Sequence, residues 1–174
     1  MAASNSPLNT SFMVGELGMI NAAIVGLGWW GQHIVSTIQN RSEKIRFVRA
    51  VDFNLAAAQQ IAEQYSLKLS SDLDDVLNDD EVSAVVLATP HSVHADQILA
   101  VAGAGKHVFC EKPLALTRES AEKSVSACDD AGVVLGLGHE RRFEPAMLEI
   151  KELVKSGSLG DIMHVEANFS HDKL

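Results

Sequence analysis

The strongest structural pattern in this chain is AAIVGLGWWGQHIVSTI, residues 22–38. The apolar residues at its beginning are typical of a buried strand, and the apolar residues at helical spacing near its end predict a helix. Between the two segments, Gly26, Gly28 and Gly31 form the pattern GxGxxG. Such a turn either brings a phosphate group close to the backbone or is a flexible loop that happens to be rich in glycine.

The position of each glycine favours the phosphate interpretation. Gly26 permits a tight turn, Gly28 leaves no side chain in the way of a pyrophosphate, and Gly31 lets the helix pack closely on the strand. The free N–H groups at the start of the helix, together with the positive end of its dipole, would hold the phosphates. The pattern therefore predicts a dinucleotide site. Packing is the expected role of the indoles of Trp29 and Trp30.

An acidic residue follows at the distance that such a site requires. Asp52 lies 52 − 31 = 21 residues after Gly31, at the end of a predicted strand over 45–52. A carboxylate there can accept hydrogen bonds from both hydroxyls of the adenosine ribose and would repel a 2′-phosphate, so NAD is expected rather than NADP. Arg49 is close in sequence, but odd–even counting places it on the other face of the strand. The alternative is that Asp52 is a simple polar residue at a strand end.

The rest of the chain continues the alternation of strands and helices. The almost wholly apolar segment 82–90 is typical of a strand that is buried on both faces, as in parallel sheets. Further strands are predicted at 107–110 and 133–138. Helices are predicted over 55–65, from a cap near Ser71 or Asp72, near 94–102, and from about Thr117 to Gly132. Short connections and right-handed crossovers then give an α/β fold, an open parallel sheet with helices on both faces.

The pattern changes after Gly138. Pro145 can open a helix that runs to about Lys155, and residues 162–170 alternate strictly between apolar and polar, which predicts a half-exposed strand. We therefore expect a loose tail over 1–18, a nucleotide-binding domain over 19–140, and over 141–174 a linker helix with the first strand of a second sheet.

Composition excludes several classes of function. The 14 basic and 23 acidic residues give 14 − 23 = −9, which argues against a nucleic-acid surface and against docking on anionic lipid. No segment has the length of a membrane span or the features of a signal peptide, so a cytoplasmic location is expected. Cys110 and Cys128 lie in apolar patterns and are expected to pack in the core rather than to form a disulfide.

A second candidate site lies in HVFCEKPLALT, residues 107–117. Glu111, Lys112 and Pro113 follow a predicted strand, at the edge where open parallel sheets bind ligands. A lysine near a bound cofactor can act in acid–base catalysis, because partial desolvation lowers its pKa. Pro113 restricts the residue before it and so helps to orient Lys112. Taken alone, a Glu-Lys pair at a strand end is more often a solvated surface pair.

Three segments together resemble a known family. VGLGWWG (25–31), the segment 88–117 that contains ATPHSVH and CEKP, and GHERRFEPAM (138–147) are similar to the Gfo/Idh/MocA oxidoreductases, among them glucose–fructose oxidoreductase and inositol dehydrogenase. The resemblance implies an N-terminal Rossmann-type domain that binds NAD or NADP. It also implies a C-terminal α/β domain that binds the substrate and usually forms the dimer interface. Members typically move a hydride between the nicotinamide and a sugar, inositol or related polyol.

The resemblance assigns site residues by position. It places the dinucleotide turn at Gly26, Leu27, Gly28, Trp29 and Trp30, and it matches Asp52 to the ribose-binding acid. It implies a loop beside the adenine-side ribose, made by Thr89, Pro90 and His91, with His94 at the following helix start. On the nicotinamide side it implies Glu111 near the ribose, Lys112 as the catalytic lysine and Arg142 near the pocket.

The chain departs from the family pattern in two respects. His139 and Glu140 stand where members often carry an aromatic residue and then Asn, and members run to roughly twice this length, as two domains of ordinary size require. The family's second catalytic group, a histidine of the C-terminal domain, has no counterpart here. His91 and His94 could share a metal, but no third ligand is nearby, so capping or cofactor contact is favoured and no metal is expected.

Two functions remain in view at this point. The first is a nicotinamide-dependent oxidoreductase of which this chain is the cofactor-binding part, whose full-length form is a homo-oligomer. The second is a non-catalytic module that binds or senses a dinucleotide. Both require the glycine turn to bind the cofactor, and only the first requires Lys112 to take part in a reaction.

Overall fold

A computed structural model describes residues 18–168. Strands and helices alternate along the chain, and six strands form one parallel sheet. The strands are β1 (Ile20–Val25), β2 (Ile45–Val51), β3 (Lys68–Ser70), β4 (Ala84–Leu87), β5 (His107–Cys110) and β6 (Leu135–Leu137). The helices are α1 (Trp29–Ile38), α2 (Leu55–Gln64), α3 (Asp74–Leu77), α4 (His94–Gly103), α5 (Arg118–Asp130) and α6 (Pro145–Lys155). The predicted α/β class is confirmed.

The strand order is β3-β2-β1-β4-β5-β6, so the chain reverses its direction of growth between β1 and β4. The register aligns the last residues of the strands in one row. That row is Ser70, Val51, Val25, Leu87, Cys110 and Leu137. Each residue that follows this row therefore emerges at the same edge of the sheet, which is where open α/β sheets bind ligands.

Two apolar clusters cover the two faces of the sheet. Ala22 and Ile24 belong to the cluster that contains Val35 of α1 and Ala58 of α2. The alternate residues of β1 belong to the other cluster, which contains Ile98 of α4. This period of two places residues 22–25 of β1 alternately in the two cores, which explains why β4 and the last four residues of β1 are apolar.

Helix ends follow the predicted signals with one difference. Thr117 caps the start of α5 and forms a capping box with Ser120. At the other end, Gly132 lies directly after the C-cap residue Ala131 and has a φ of +67°, which is typical of a glycine that ends a helix. The predicted cap of α3 is displaced, since the helix begins at Asp74 with Leu73 as its N-cap and no side-chain cap. Asp72 still accepts a hydrogen bond from the amide of Asp74, at 2.9 Å.

Strand β3 was not predicted from the sequence. It has only three residues, Lys68–Ser70, and pairs with β2 alone at the edge of the sheet. Short edge strands with polar residues are common because they expose few unpaired backbone groups. A polar segment of this length carries no alternation long enough to be detected.

The chain divides after Gly138 into two compact units. In the second unit, α6 spans Pro145–Lys155, as predicted, and all described residues are exposed. The prediction of a strand over 162–170 is wrong for residues 162–168, which form no strand, and the last two positions lie outside the described residues. An alternating pattern gives a strand only where a partner supplies hydrogen bonds, and within residues 18–168 this segment has none. The predicted tail lies outside the described residues except for Gly18.

Both cysteines are buried and free, as predicted. Among residues 18–168, no helix combines the length and apolar character needed to cross a membrane.

Candidate functional site

The glycine turn lies at the centre of the ligand-binding edge, between β1 and α1. Gly26 follows the row of strand ends and donates its amide to the carbonyl of Val51, at 2.8 Å. Its φ is +92°, and a Cβ there would lie 2.7 Å from the carbonyl oxygen of Ala88. A side chain is therefore excluded both by conformation and by the neighbouring strand end.

Gly31 meets the requirement for close packing of helix and strand. A Cβ at this position would lie 1.9 Å from the carbonyl oxygen of Gly26, closer than two non-bonded atoms can approach. This confirms the packing role that the pattern predicts for the third glycine.

Gly28 differs from the other two glycines because no contact among residues 18–168 requires a glycine there. Apart from its chain neighbours, no atom of the described part of the chain lies within 4 Å of a Cβ built there. Its φ of −63° is open to any residue. A glycine that neither packing nor conformation demands fits a surface to which another molecule comes close.

The start of α1 has free hydrogen-bond donors. Gly28 is its N-cap and provides no side-chain hydrogen bond, and the first turn holds no acidic residue. Helices α3, α4 and α6 also begin without a side-chain cap, whereas Asn54 caps α2 and Thr117 caps α5 with side-chain oxygens. The first amides of a helix have no intrahelical acceptor, so those of α1 are available to an anion. These features fit the diphosphate of a dinucleotide.

Asp52 joins the glycine turn to the end of β2. Its Oδ2 accepts a hydrogen bond from the amide of Leu27, at 2.7 Å, and its Oδ1 accepts one from the amide of Asn54, at 2.8 Å. Leu27 itself buries its side chain in the core. Arg49 does not share this site, because its guanidinium pairs with Asp79. The structure therefore places the carboxylate beside the turn and leaves lone pairs on both oxygens for hydroxyl donors.

The two tryptophans occupy different environments. Trp30 is half-buried and packs on His33, with ring centroids 5.1 Å apart. Trp29 is 78% exposed, and its ring centroid lies 5.5 Å from that of Trp30 and 6.1 Å from that of His33. Both indoles therefore make ring contacts, but only that of Trp30 is half-buried. The indole Nε1 of Trp30 is buried and has no hydrogen-bond partner within the described residues.

The loop after β4 lies next to the glycine turn, since a Cβ on Gly26 would lie 3.1 Å from the amide nitrogen of Thr89. Pro90 and His91 are exposed on this loop, whereas His94 has no exposed surface. The ring nitrogens of His94 lie 2.9 Å from the carbonyl oxygen of Thr89 and 2.8 Å from that of Pro113. His94 is therefore not exposed for the direct cofactor contact expected of it, and it lies behind the surface that its neighbours form.

The segment after β5 carries the candidate lysine. Glu111 is only 8% exposed, and its Oε2 accepts a hydrogen bond from the amide of Lys112, at 3.3 Å. Lys112 is exposed, and in the described chain its ammonium pairs with no carboxylate. Burial, and to a smaller extent the charge of Glu111, raises the pKa of the Cys110 thiol to about 12, so Cys110 stays a thiol behind this segment.

Gly138 lies one residue beyond β6 and next to Glu111, whose Oε2 would be 3.0 Å from a Cβ on that glycine. Arg142 lies beyond this point, in a short 3-10 turn (Glu140–Phe143) of the second unit, and is exposed. The structure thus brings together, at one edge of the first unit, the predicted residues from the glycine turn, Asp52, Thr89–His91 and Glu111–Lys112.

Two nearby residues were not predicted from the sequence. Phe53 directly follows Asp52 and is 90% exposed. Its position, as an aromatic residue just after the acid at a strand end, was the sequence signal that could have identified it. Gln97 accepts a hydrogen bond from the hydroxyl of Thr89, at 2.5 Å, and carries no sequence signal of its own. In the range 18–168, no three His, Cys, Asp or Glu residues are grouped so that they could hold a metal ion.

Comparison with known proteins agrees with this geometry. Residues 20–139 match the model of the Gfo/Idh/MocA oxidoreductase family, described as an NAD-binding Rossmann fold. This chain belongs to that family. Its first unit is therefore an NAD-binding Rossmann domain, and the resemblance seen in the glycine and Glu-Lys-Pro motifs is confirmed.

Its relatives include dehydrogenases and a hydratase. The chain is 30% identical over 155 residues to scyllo-inositol 2-dehydrogenase (NAD(+)) of Bacillus subtilis, covering 88% of this chain and 45% of that protein. It is 32% identical over 145 residues to 2,7-anhydro-N-acetylneuraminate hydratase of Mediterraneibacter gnavus, covering 83% and 38%.

A solved structure gives the same result. The WlbA dehydrogenase of Bordetella pertussis, in complex with NADH and UDP-GlcNAcA, superimposes with a TM-score of 0.77 at 32% identity, over 82% of this chain and 43% of that one. The chain thus spans less than half the length of the relatives it matches.

Proposed function

We propose that this chain is the cofactor-binding part of an NAD-dependent oxidoreductase that moves a hydride between the nicotinamide and an alcohol carbon of a sugar, inositol or related polyol. Family membership supports the class of reaction. The dehydrogenase of B. subtilis, which is named for scyllo-inositol, supports the substrate class. When bound, NAD supplies the hydride acceptor, and the groups below bind it and move the proton.

The observation that carries this proposal is the uncapped start of α1 next to Gly28. A diphosphate there would accept hydrogen bonds from the amides of residues 28–30 and would benefit from the helix dipole. Gly28 leaves the space that the phosphates need. Leu27 would contribute indirectly: its side chain is in the core, and its backbone amide holds the carboxylate of Asp52 beside the turn.

Asp52 would accept hydrogen bonds from the ribose hydroxyls on the adenine side, which favours NAD over NADP. Thr89, Pro90 and His91 would line the same side from the loop after β4. Phe53 offers an exposed apolar ring beside the carboxylate. His94 would support this loop from behind and would not contact the cofactor.

Lys112 would act on the substrate oxygen. As alcohol is oxidised, the hydroxyl proton must leave, and an amine near the reacting carbon can accept it. In the reverse direction the ammonium donates a proton and stabilises the developing alkoxide. Glu111 would hold the Lys112 segment close to the nicotinamide ribose, and we assign Arg142, by position in the family motif, to the cofactor and substrate pocket.

The test uses the complete product of the gene, purified and assayed for NADH formation with scyllo-inositol, myo-inositol and a panel of sugars. We expect turnover with at least one of them. Lys112→Ala should lower kcat at least about 100-fold, the usual size of a general acid–base contribution. It should leave the Kd for NADH within about three-fold, because Lys112 does not hold the phosphates.

The matched control is Lys123→Ala, which removes an exposed lysine from α5. Equal turnover of Lys112→Ala and Lys123→Ala would overturn the assigned role. Binding of NADH without turnover on any polyol or sugar would contradict the enzyme and favour the dinucleotide-binding module. Failure to bind NADH would contradict both functions.

A further inference from the structure

His94, the first residue of α4, lies between two segments of the ligand-binding edge. Its side chain has no exposed surface. Its Nε2 is 2.9 Å from the carbonyl oxygen of Thr89, in the loop after β4. Its Nδ1 is 2.8 Å from the carbonyl oxygen of Pro113, in the segment after β5. The imidazole ring of His94 therefore bridges the loop that follows β4 and the loop that follows β5.

The chemistry of the two partners restricts the protonation of the ring. A carbonyl oxygen only accepts hydrogen bonds, and a neutral imidazole has one N–H and one bare nitrogen. A neutral His94 would therefore place a nitrogen lone pair against an oxygen lone pair at 2.8 or 2.9 Å. Only the imidazolium donates at both nitrogens. We propose that His94 is an imidazolium that ties the loop after β4 to the Lys112 segment, and that it is a positioning residue for Lys112.

Other groups around the ring weigh on both sides. Burial and the position at the start of α4 disfavour a cation, because both the lost hydration and the positive end of the helix dipole oppose it. Two charge-assisted hydrogen bonds favour it, since they are stronger than neutral ones and leave neither nitrogen nor carbonyl unpaired. His91 meets the ring edge-on with centroids 5.7 Å apart. The presence of a carbonyl oxygen at hydrogen-bond distance from both nitrogens favours the charged form.

The bridge has a consequence for the site. Pro113 is bonded directly to Lys112, and Thr89 precedes Pro90 and His91. Because both carbonyls are held by one rigid ring, the backbone next to Lys112 is fixed relative to the loop after β4. The value of this positioning for a reaction rests on the proposed function, whereas the bridge and its charge do not.

The charge is tested on this chain without cofactor, by two-bond proton–nitrogen NMR of the protein labelled with ¹⁵N-histidine. The His94 signals are assigned by their loss in His94→Phe, or in His94→Gln if the first variant does not fold. We expect both ring nitrogens of His94 to carry protons at neutral pH, with slow exchange because the ring is buried. A neutral ring with one bare nitrogen would overturn the proposed imidazolium.

The positioning role is tested by amide hydrogen exchange. His94→Phe keeps an aromatic ring and removes both donors, and it should speed exchange at the amides of Lys112 and Leu114 at least about ten-fold beyond any change in global stability. The matched control, Val101→Ala, removes buried volume from the same helix and keeps both hydrogen bonds of His94. The same acceleration in both variants would show only general loosening and would overturn the positioning role. If His94→Phe does not fold, His94→Gln is compared with Val101→Ala in the same way.

Discussion

The two halves of the candidate site are built from different chemistry. The turn half, residues 26–31 with Asp52, presents backbone amides and bare Cα atoms, fixed by close contacts between β1, α1 and β4. The lysine half, residues 89–94 and 111–113, presents side chains such as that of Lys112, and the hydrogen bonds of His94 to the carbonyls of Thr89 and Pro113 link its two loops. The comparison shows that the backbone half can be found from glycine spacing, whereas the hydrogen bonds that link the two loops of the side-chain half are seen only in the tertiary structure.

Within the turn half, we expect the largest loss of stability at Gly31, whose role is packing rather than cofactor binding. Gly31→Ala places a methyl group 1.9 Å from the carbonyl oxygen of Gly26, so helix and strand must move apart. We expect a loss of at least about 3 kcal/mol in the free energy of unfolding, measured by urea denaturation. Gly103→Ala, where the added methyl meets nothing within 4 Å, is the control and should change stability by less than about 0.5 kcal/mol. Similar stability of the two variants would contradict the close-packing account.

Gly28→Ala should leave stability unchanged and weaken the binding of NADH. The added methyl meets no protein atom within 4 Å, so we expect the unfolding free energy to change by less than about 0.5 kcal/mol. The methyl would occupy the approach to the amides of α1, and the Kd for NADH should rise at least about ten-fold. Energy transfer from tryptophan to NADH measures this, because Trp29 and Trp30 are the only tryptophans and adjoin the turn. Unchanged affinity would show that Gly28 does not face the phosphates.

Asp52 is the exception in the turn half, because it contributes a side-chain carboxylate rather than a backbone group. Asp52→Ser removes the acceptor of the Leu27 amide and of the ribose hydroxyls, and hydrogen bonds to a charged group contribute about 1.5–3 kcal/mol. We therefore expect a roughly 10- to 100-fold rise in the Kd for NADH. The double variant Asp52→Ser, Phe53→Arg should shift preference towards NADPH. Asp80→Asn, at an exposed acid away from the turn, serves as the control; an unchanged NADH-to-NADPH ratio would count against the ribose assignment.

The smallest effect is expected at a pair outside both halves. The Arg49 guanidinium, helped by the amide of Glu81, holds the pKa of Asp79 below its ordinary value of 3.8. A lowered pKa stabilises the fold above that ordinary value, and the contribution is lost as pH falls through the lowered one. Asp79→Asn should thus lower stability by about 1 kcal/mol at pH 7 and by less near pH 3, in thermal melts. The Kd for NADH should not change, and a changed Kd would mean that the two halves are not independent of this pair.

Much of the fold could be predicted because its signals are local. The apolar run of β1, the glycines after it and the capping threonine of α5 act through neighbouring residues, and the structure has each of them where expected. The strand predicted from residue 162 failed for a different reason. Its alternating pattern predicts a strand with one buried face, which forms only when a neighbouring strand pairs with it and another layer covers that face. The alternation itself does not reveal whether these partners are present.

The buried polar groups could not be predicted. Lys106 buries its side chain and donates to the carbonyls of Asp79 and Val82, at 2.8 Å each. His94 bridges two loops that are 113 − 89 = 24 residues apart in sequence. In each case the partners are backbone carbonyls, which every residue possesses, so the sequence carries no trace of the pairing. The contacts of His94 are the part of the lysine half that only the fold reveals.

The central claim is that the start of α1 binds the diphosphate of NAD. Titration of the ¹⁵N-labelled chain with NADH, followed by amide NMR, tests it most directly. The account predicts saturable binding in which the amides of residues 28–31 and of Asp52 shift most, with smaller changes around Thr89 and Lys112 and none in α6. Binding that leaves residues 28–31 unshifted, or no binding at all, would contradict it.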